Sequence, residues 1–469
     1  MDSHALEAGK DTTPEMEAER MFNGNKEFVE RGGMKSIKKE TGCVCSCCMD
    51  TRVQKSCNCK MGLVTTVDTP GSLMRKAGRI AVEKAIKNGA LIIFLEGHTD
   101  CGALSATFDW VKYGKSITDP DVKLVADQLV PAAQMAIQMQ EEALAKGTII
   151  SDNQAKDLAS ELNQRSQLNR LMSSLMVENY VKNWGVIIVE TMYNVREEPY
   201  VSLFRPGKTV KMGEFGVMEI TGKNPIAEAQ LGEHIAKNQE FRIEKLENIR
   251  KVAKGQTIRV AVLNCTSKDT TTHTIMNKQV DDGYMAITSP GIMIKDRNIM
   301  GGVMYAVRHG AKVIDVNMHT DCSIIKAMFE QMKNGKEIRD VQMAEVAENV
   351  ADAVSRAIKE QKKYHLTDEE TINRAAEIHT ENVARELLKN DFIKERIKNG
   401  KLIIIGTVTN TRNDEVTLAN HMTLSGEMAE VYRITAETLR TWIPSRSETQ
   451  RQEKLVEQKT TEQKKIRTV

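Results

Sequence analysis

The chain is 469 residues long, and 66 Lys and Arg against 64 Asp and Glu leave a formal charge of +2. At ~150 residues per domain the length admits roughly two to four domains, and 41% apolar with 28% charged residues is the balance of a globular protein with cores to bury. So small a charge gives no electrostatic case for a nucleic-acid partner, and no apolar run approaches the ~20 residues that span a bilayer.

The N-terminus, MDSHALEAGKDTTPEMEAER, is acidic and polar with no apolar signal core, so a cytoplasmic protein without a membrane partner is expected. Next come GNKEF (Gly24–Phe28) and then a burst of cysteines. Of nine in the chain, six (Cys43, Cys45, Cys47, Cys48, Cys57, Cys59) fall within 17 residues, and the others are Cys101, Cys265 and Cys322. An odd number in a long chain without a signal argues against a disulfide framework and for metal. Cys43, Cys45 and Cys47 alternate, which in a strand places them on one face. They read as strand packing, with an additional metal or redox role together with Cys57 and Cys59 as the sharper alternative.

A Pro-Gly turn at Pro70-Gly71 leads into a helix whose Leu73, Ala77, Ile80, Ala81 and Ala85 share one face, stopped by Asn88-Gly89. The apolar run Leu91–Leu95 reads as a strand buried on both faces, followed directly by GHTDCG (Gly97–Gly102). Asp121–Gln167 reads as helix, with Met135 and Met139 on a packing face, and Val186–Val189 as a further strand. Residues 205–225, rich in Gly, Pro and Lys, read as a linker or surface hairpin.

The pattern then starts again. Thr69–Cys101 has its counterpart in Ser289–Cys322, both running from a Pro-Gly turn through helix and strand to HTDC at an offset of about 220 residues. GNKEF matches KNQEF (Lys237–Phe241), and the strand Val186–Val189 matches Leu402–Ile405. The chain therefore divides into one domain over 17–204, the linker 205–225, a second domain over 226–442 and a polar tail over 445–469. Alternating strands and helices make each domain α/β, a mostly parallel sheet flanked by helices, with ligands expected beyond the carboxyl ends of its strands.

Cys48 and His98 are expected at that edge, and the His98-x-x-Cys101 spacing lets a single turn present Cys101 with His98. Two thiolates and an imidazole suit Zn²⁺ with one tetrahedral position left open, the pattern of a catalytic site. A water in that position has its pKa pulled toward ~7, giving a zinc-bound hydroxide. Asp50, held by Arg52, can accept its hydrogen bond and aim it. The plainer reading is a structural zinc beside a solvated Asp and Arg. In the second half Cys265, His319 and Cys322 repeat the ligand set, but Ser267 and Asp269 stand where Asp50 and Arg52 do, and Ser323 replaces Gly102. That half reads as a retained or vestigial metal site without ordinary activity. A second site with another substrate, or two merely buried cysteines, are the competing readings.

CMDTR (Cys48–Arg52) followed by GHTDCG resembles the β-class carbonic anhydrase signature, C-x-D-x-R then H-x-x-C-G. The likeness extends over both halves, through the early N-x-x-F segment, the TPG turn and Glu381–Val408. It implies two tandem β-carbonic-anhydrase-like domains, a fused pseudo-dimer in which zinc supports reversible hydration of CO2 to bicarbonate. Cys48, His98 and Cys101 would bind the metal, and Asp50 would orient the hydroxide or, in a resting state, take the fourth zinc position. Arg52 would pair with Asp50, and Gly102 would leave room and a backbone N–H for bicarbonate. Family members are obligate dimers with clefts at the subunit interface, so the second half would close the cleft of the first in a mainly structural role. Further assembly of pseudo-dimers into a homo-oligomer is compatible with this. The alternatives are hydrolysis of carbon disulfide or carbonyl sulfide, or a non-catalytic zinc-binding regulator or scaffold.

Overall fold

The computed structural model describes residues 13–30, 42–50, 52–53, 64–253, 258–266, 283–413 and 415–419. Ser267, Asp269, Cys57, Cys59 and the tail 445–469 lie outside the described residues. The elements run α1 (Pro14–Glu30), β1 (Cys43–Cys48), β2 (Val64–Thr69), α2 (Lys76–Lys87), β3 (Ile92–His98), α3 (Gly102–Tyr113), α4 (Pro120–Ala145), α5 (Asp152–Met172), α6 (Leu175–Asn183) and β4 (Ile187–Tyr193). A short pair, β5 (Tyr200–Val201) and β6 (Thr209–Val210), precedes β7 (Phe215–Thr221) and α7 (Pro225–Ala253). The second half repeats the order: β8 (Val260–Cys265), β9 (Tyr284–Ser289), α8 (Arg297–Arg308), β10 (Val313–His319), α9 (Ser323–Asn334), α10 (Val341–Glu348), α11 (Ala351–Tyr364), α12 (Asp368–Leu387), α13 (Asp391–Lys398), β11 (Ile403–Thr409) and β12 (Val416–Leu418).

These strands form two five-stranded sheets, ordered β2-β1-β3-β4-β7 and β12-β11-β10-β8-β9. Four strands of each are parallel and the fifth, β7 or β12, is antiparallel. The parallel strands β1, β3, β4, β8, β10 and β11 are buried from end to end, as sheets covered on both faces must be. Local chemistry sets the helix ends. Asp119 caps α4 with Pro120 at its first position, and a Ser151–Gln154 capping box opens α5.

The expected domain bounds divide the sequence but not the fold. Helix α1 buries Ala18, Met21 and Phe22 with Val260, Val262, Val313 and Ile405 of the second sheet, and Asn25 Oδ1 accepts the Val416 amide at 2.9 Å. Its repeat, α7, does the reverse: Ala227 and Leu231 join the core of the first sheet, and Asn238 Oδ1 accepts the Phe215 amide at 2.9 Å. The two halves have exchanged their leading helices. The stretch 205–225 is likewise more than a linker, because β7 within it extends the first sheet beside β4.

The halves join along the edge strands β2 and β9. Asp68 and Thr288, equivalent in the repeat, meet there: the Thr288 hydroxyl accepts the Asp68 amide at 2.5 Å and lies 3.2 Å from Asp68 Oδ2. Across α4 and α8, Arg308 binds Asp119 through Nε and Nη2 at 2.9 and 2.7 Å. Gln128 donates to Asn298 at 2.8 Å. Met49 and Ile80 of the first half are part of the second half's apolar core. Among the described residues no helix is long and apolar enough to cross a membrane.

Candidate active site

Cys48 ends β1 and His98 ends β3, neighbouring parallel strands, so both ligands leave the same carboxyl edge. The chain then turns through Asp100, whose φ of +57° is a left-handed conformation a non-glycine residue adopts at a cost. That turn sets Cys101 as the N-cap of α3, where the helix dipole favours a thiolate. One ligand atom from each of Cys48, His98 and Cys101 lies within 4.8 Å of the others, and all three residues are buried.

The set fits a zinc ion. His98 Nδ1 bonds the Thr99 carbonyl at 2.9 Å, which fixes the tautomer, while its Nε2 is buried without a hydrogen-bond partner. The Cys48 thiol is pushed well up by its contact with Cys101 and by burial, against the pull of His98. Burial disfavours the His98 cation, yet Cys48 and Asp50 more than reverse this and raise it to about 9. A dication bound by all three would relieve both conditions.

Beside the ligands lies a buried ion-pair network. Arg52 donates to Asp50 through Nε and Nη2 at 3.0 and 2.8 Å, a fork on one carboxylate. The same guanidinium reaches Asp100, its Nη1 to Oδ2 at 2.7 Å and its Nη2 to the carbonyl at 2.8 Å. Burial opposes ionisation of Asp50, but Arg52 outweighs it and holds the carboxyl at about 2, so an anion faces the metal position at neutral pH. All six residues read from the signature are thus brought together.

A cleft of about 520 Å³ opens from Cys48 and Asp50 between the halves. Its walls are Gly71, Gly102, Ala106 and Val125 from the first half and Met285, Gly301 and Tyr305 from the second. Sequence reasoning missed Tyr305. Aligning the repeat on Cys101 and Cys322 sets Tyr305 opposite Lys84, and that asymmetry between otherwise matched helices was the available signal. A Cβ on Gly102 would stand 2.9 Å from the tyrosine hydroxyl oxygen. Burial, with Asp50 and Cys48 nearby, raises the phenol well above its usual range.

The second half assembles Cys265, His319 and Cys322 in the same way, also within 4.8 Å and buried. The two sulfurs are 4.0 Å apart, and the Gly291 amide donates to Cys265 Sγ at 3.3 Å. Here the symmetry-related contact comes from the first half, as Lys84 Nζ donates to Ser323 Oγ. Of the remaining cysteines, Cys43, Cys45 and Cys47 are buried in one core with Cys48, as strand packing requires. Cys45 is disulfide-bonded and Cys47 is a free thiol; the cross-link at Cys45 departs from the expectation against disulfides.

A family model described as carbonic anhydrase matches the chain twice, over residues 43–199 and 260–416. A comparison with curated proteins finds no match. Among solved structures, the β-carbonic anhydrase CafA of the fungal pathogen Aspergillus fumigatus is 19% identical, with 44% of this chain and 98% of that chain covered and a TM-score of 0.37. One of two tetrameric β-carbonic anhydrases from the filamentous ascomycete Sordaria macrospora is 17% identical, covering 42% and 98% with a TM-score of 0.37. The Coccomyxa β-carbonic anhydrase in complex with acetazolamide is 18% identical, covering 42% and 85% with a TM-score of 0.34.

Proposed function

The chain belongs to the β-carbonic anhydrase family, in a tandem form with one copy in each half, and from that premise we propose that the first half carries out zinc-dependent hydration of CO2 to bicarbonate while the second is mainly structural. Cys48, His98 and Cys101 would hold the metal. When bound there, zinc supplies the Lewis acidity that makes a water acidic enough to ionise near neutral pH. Two thiolates blunt that acidity by cancelling the metal's charge, which gives the neighbouring residues their task.

Asp50 is the orienting group. It is anionic, buried and clamped by Arg52, so its carboxylate offers a fixed acceptor for the O–H of the attacking oxygen and directs the lone pair into the cleft. Gly102, at the first turn of α3, leaves room beside the ligands and an amide at a helix N-terminus, where product anion is favoured. Ala106 and Val125 give the cleft an apolar wall suited to a small nonpolar substrate. The second half contributes Met285, Gly301 and Tyr305 to the opposite wall, which supports the pseudo-dimer reading and gives a reason for keeping a half whose sequence lacks the Asp–Arg dyad.

The single observation that carries the proposal is the buried Asp50–Arg52 fork beside a Cys-His-Cys set with an unpartnered Nε2. The test is CO2 hydration by the zinc-loaded full chain, its Asp50→Ala variant and its Cys265→Ser variant. Activity in the wild type, its loss in the first variant and its survival in the second are expected. An inactive wild type would sink the proposal in favour of a scaffold or another substrate. Loss of activity in Cys265→Ser with the first site still metallated would overturn the structural role of the second half.

A further inference from the structure

Asp157 lies outside the ligand set and the dyad, yet a chain of contacts ties it to both. It sits on α5, 3% exposed. Its Oδ1 accepts the Asp100 amide at 2.8 Å and Arg196 Nη2 at 3.2 Å. Asp100 in turn holds Arg52 by carboxylate and carbonyl, and Arg52 holds Asp50.

The second half shows what the carboxylate adds. By the repeat of α5 in α12, Asn373 takes the place of Asp157, and its Oδ1 accepts the Asp321 amide at 3.3 Å. Asp321 keeps the left-handed turn with φ +56°. A neutral amide therefore suffices for the turn, and the difference lies in the arginine. Arg412, the counterpart of Arg196, has its Nε 4.0 Å from Asp321 Oδ2 and pairs with Glu369 at 2.7 Å. Where residue 373 carries no charge, and with Asp269 at the Arg52 position, the arginine pairs with Glu369 and comes within 4.0 Å of the turn aspartate. In the first half Asp157 takes up Arg196, and the Asp100 carboxylate is left to Arg52.

We propose that Asp157 is a positioning residue for the hydration reaction: by engaging Arg196 it reserves Asp100 for Arg52, and so fixes the guanidinium that aims Asp50. The inference rests on the first half being the active one. It does not require Asp157 to touch substrate or metal, and it assigns the charge, rather than the hydrogen bond to the turn, as the part that matters.

The experiment compares CO2 hydration by the zinc-loaded wild type, Asp157→Asn and Asp157→Asn/Arg196→Gln, with zinc content and thermal midpoint measured on each. Asn is the residue the second half already uses at this position, so the turn is kept. Released Arg196 then competes for Asp100, and a displaced dyad is expected to lower kcat/KM about tenfold or more. Removing the competitor in the double variant should recover most of that loss, with zinc content unchanged throughout. A merely structural Asp157 predicts no recovery. Full activity in Asp157→Asn, or no recovery in the double variant, overturns the inference alone; an inactive wild type overturns the assignment of the active half and this inference with it.

Discussion

Gly102 and Tyr305 come from opposite halves, and a Cβ at position 102 would stand 2.9 Å from the tyrosine hydroxyl oxygen. Glycine is required there because the second half already fills the space. Gly102→Ala should push the phenol toward the cleft and lower CO2 hydration by about tenfold, since displacements on the scale of 1 Å cost that and more. The atom in the way is the hydroxyl oxygen. Adding Tyr305→Phe to Gly102→Ala should therefore restore part of the lost kcat/KM, and no restoration would show that the contact is not what limits the variant.

The two Cys-His-Cys sets predict separable metals. Zinc analysis of the full chain should approach two ions per chain, falling to one in Cys48→Ser and to one in Cys322→Ser. Hydration should vanish in the first variant and persist in the second. One ion per chain in the wild type, retained in Cys322→Ser, would show that the second set does not bind zinc despite its geometry.

Much of this was legible because the chemistry is local. Cys48, Asp50 and Arg52 lie within five residues and His98 and Cys101 within four, and continuous apolar runs such as Ile92–Leu95 and Ile403–Ile405 mark strands covered on both faces. What escaped depends on contacts between residues some two hundred positions apart. The face Ala18, Met21, Phe22 and Asn25 follows helical spacing and announces burial, but nothing in it says which sheet it covers. Strand β7 escaped for a different reason: an edge strand with only Phe215 and Met218 buried, and interrupted by Gly216 and Glu219, leaves no continuous apolar run. Tyr305 is an ordinary residue on an amphipathic helix until the partner half is in place.

At the junction, Asp68 should make stability depend on pH. Burial raises its carboxyl to about 6, with Cys47, Thr66 and Thr288 pulling the other way, above the ~3.9 of an unfolded chain. A raised folded value means the stabilising contribution of the neutral acid is fully present below about 4 and is lost as pH rises through about 6. At about 1.4 kcal/mol per unit over about two units, some 3 kcal/mol is at stake. Asp68→Asn cannot titrate, so its stability relative to the wild type should increase from pH 4 to 7.5 in urea unfolding. A constant difference would mean that Asp68 does not change its charge at the junction over this range.

The exchange of leading helices makes a prediction about where damage appears. Met21 is fully buried among Val260, Val262, Tyr284, Val313 and Ile405, all in the second half. Met21→Ala removes a side chain whose truncation in a core costs about 2–5 kcal/mol. If α1 served the half that contains it in sequence, amide exchange would quicken in β1 and β3. Because it covers the other sheet, exchange should quicken in β8, β10 and β11 while β1, β3 and the Cys48–His98–Cys101 centre stay protected. Leu231→Ala on α7 should give the reciprocal pattern, opening the first sheet and, with it, the metal site. Protection lost in the same sheet in both variants would contradict the exchange, since each helix would then be acting on a common core rather than on the opposite half.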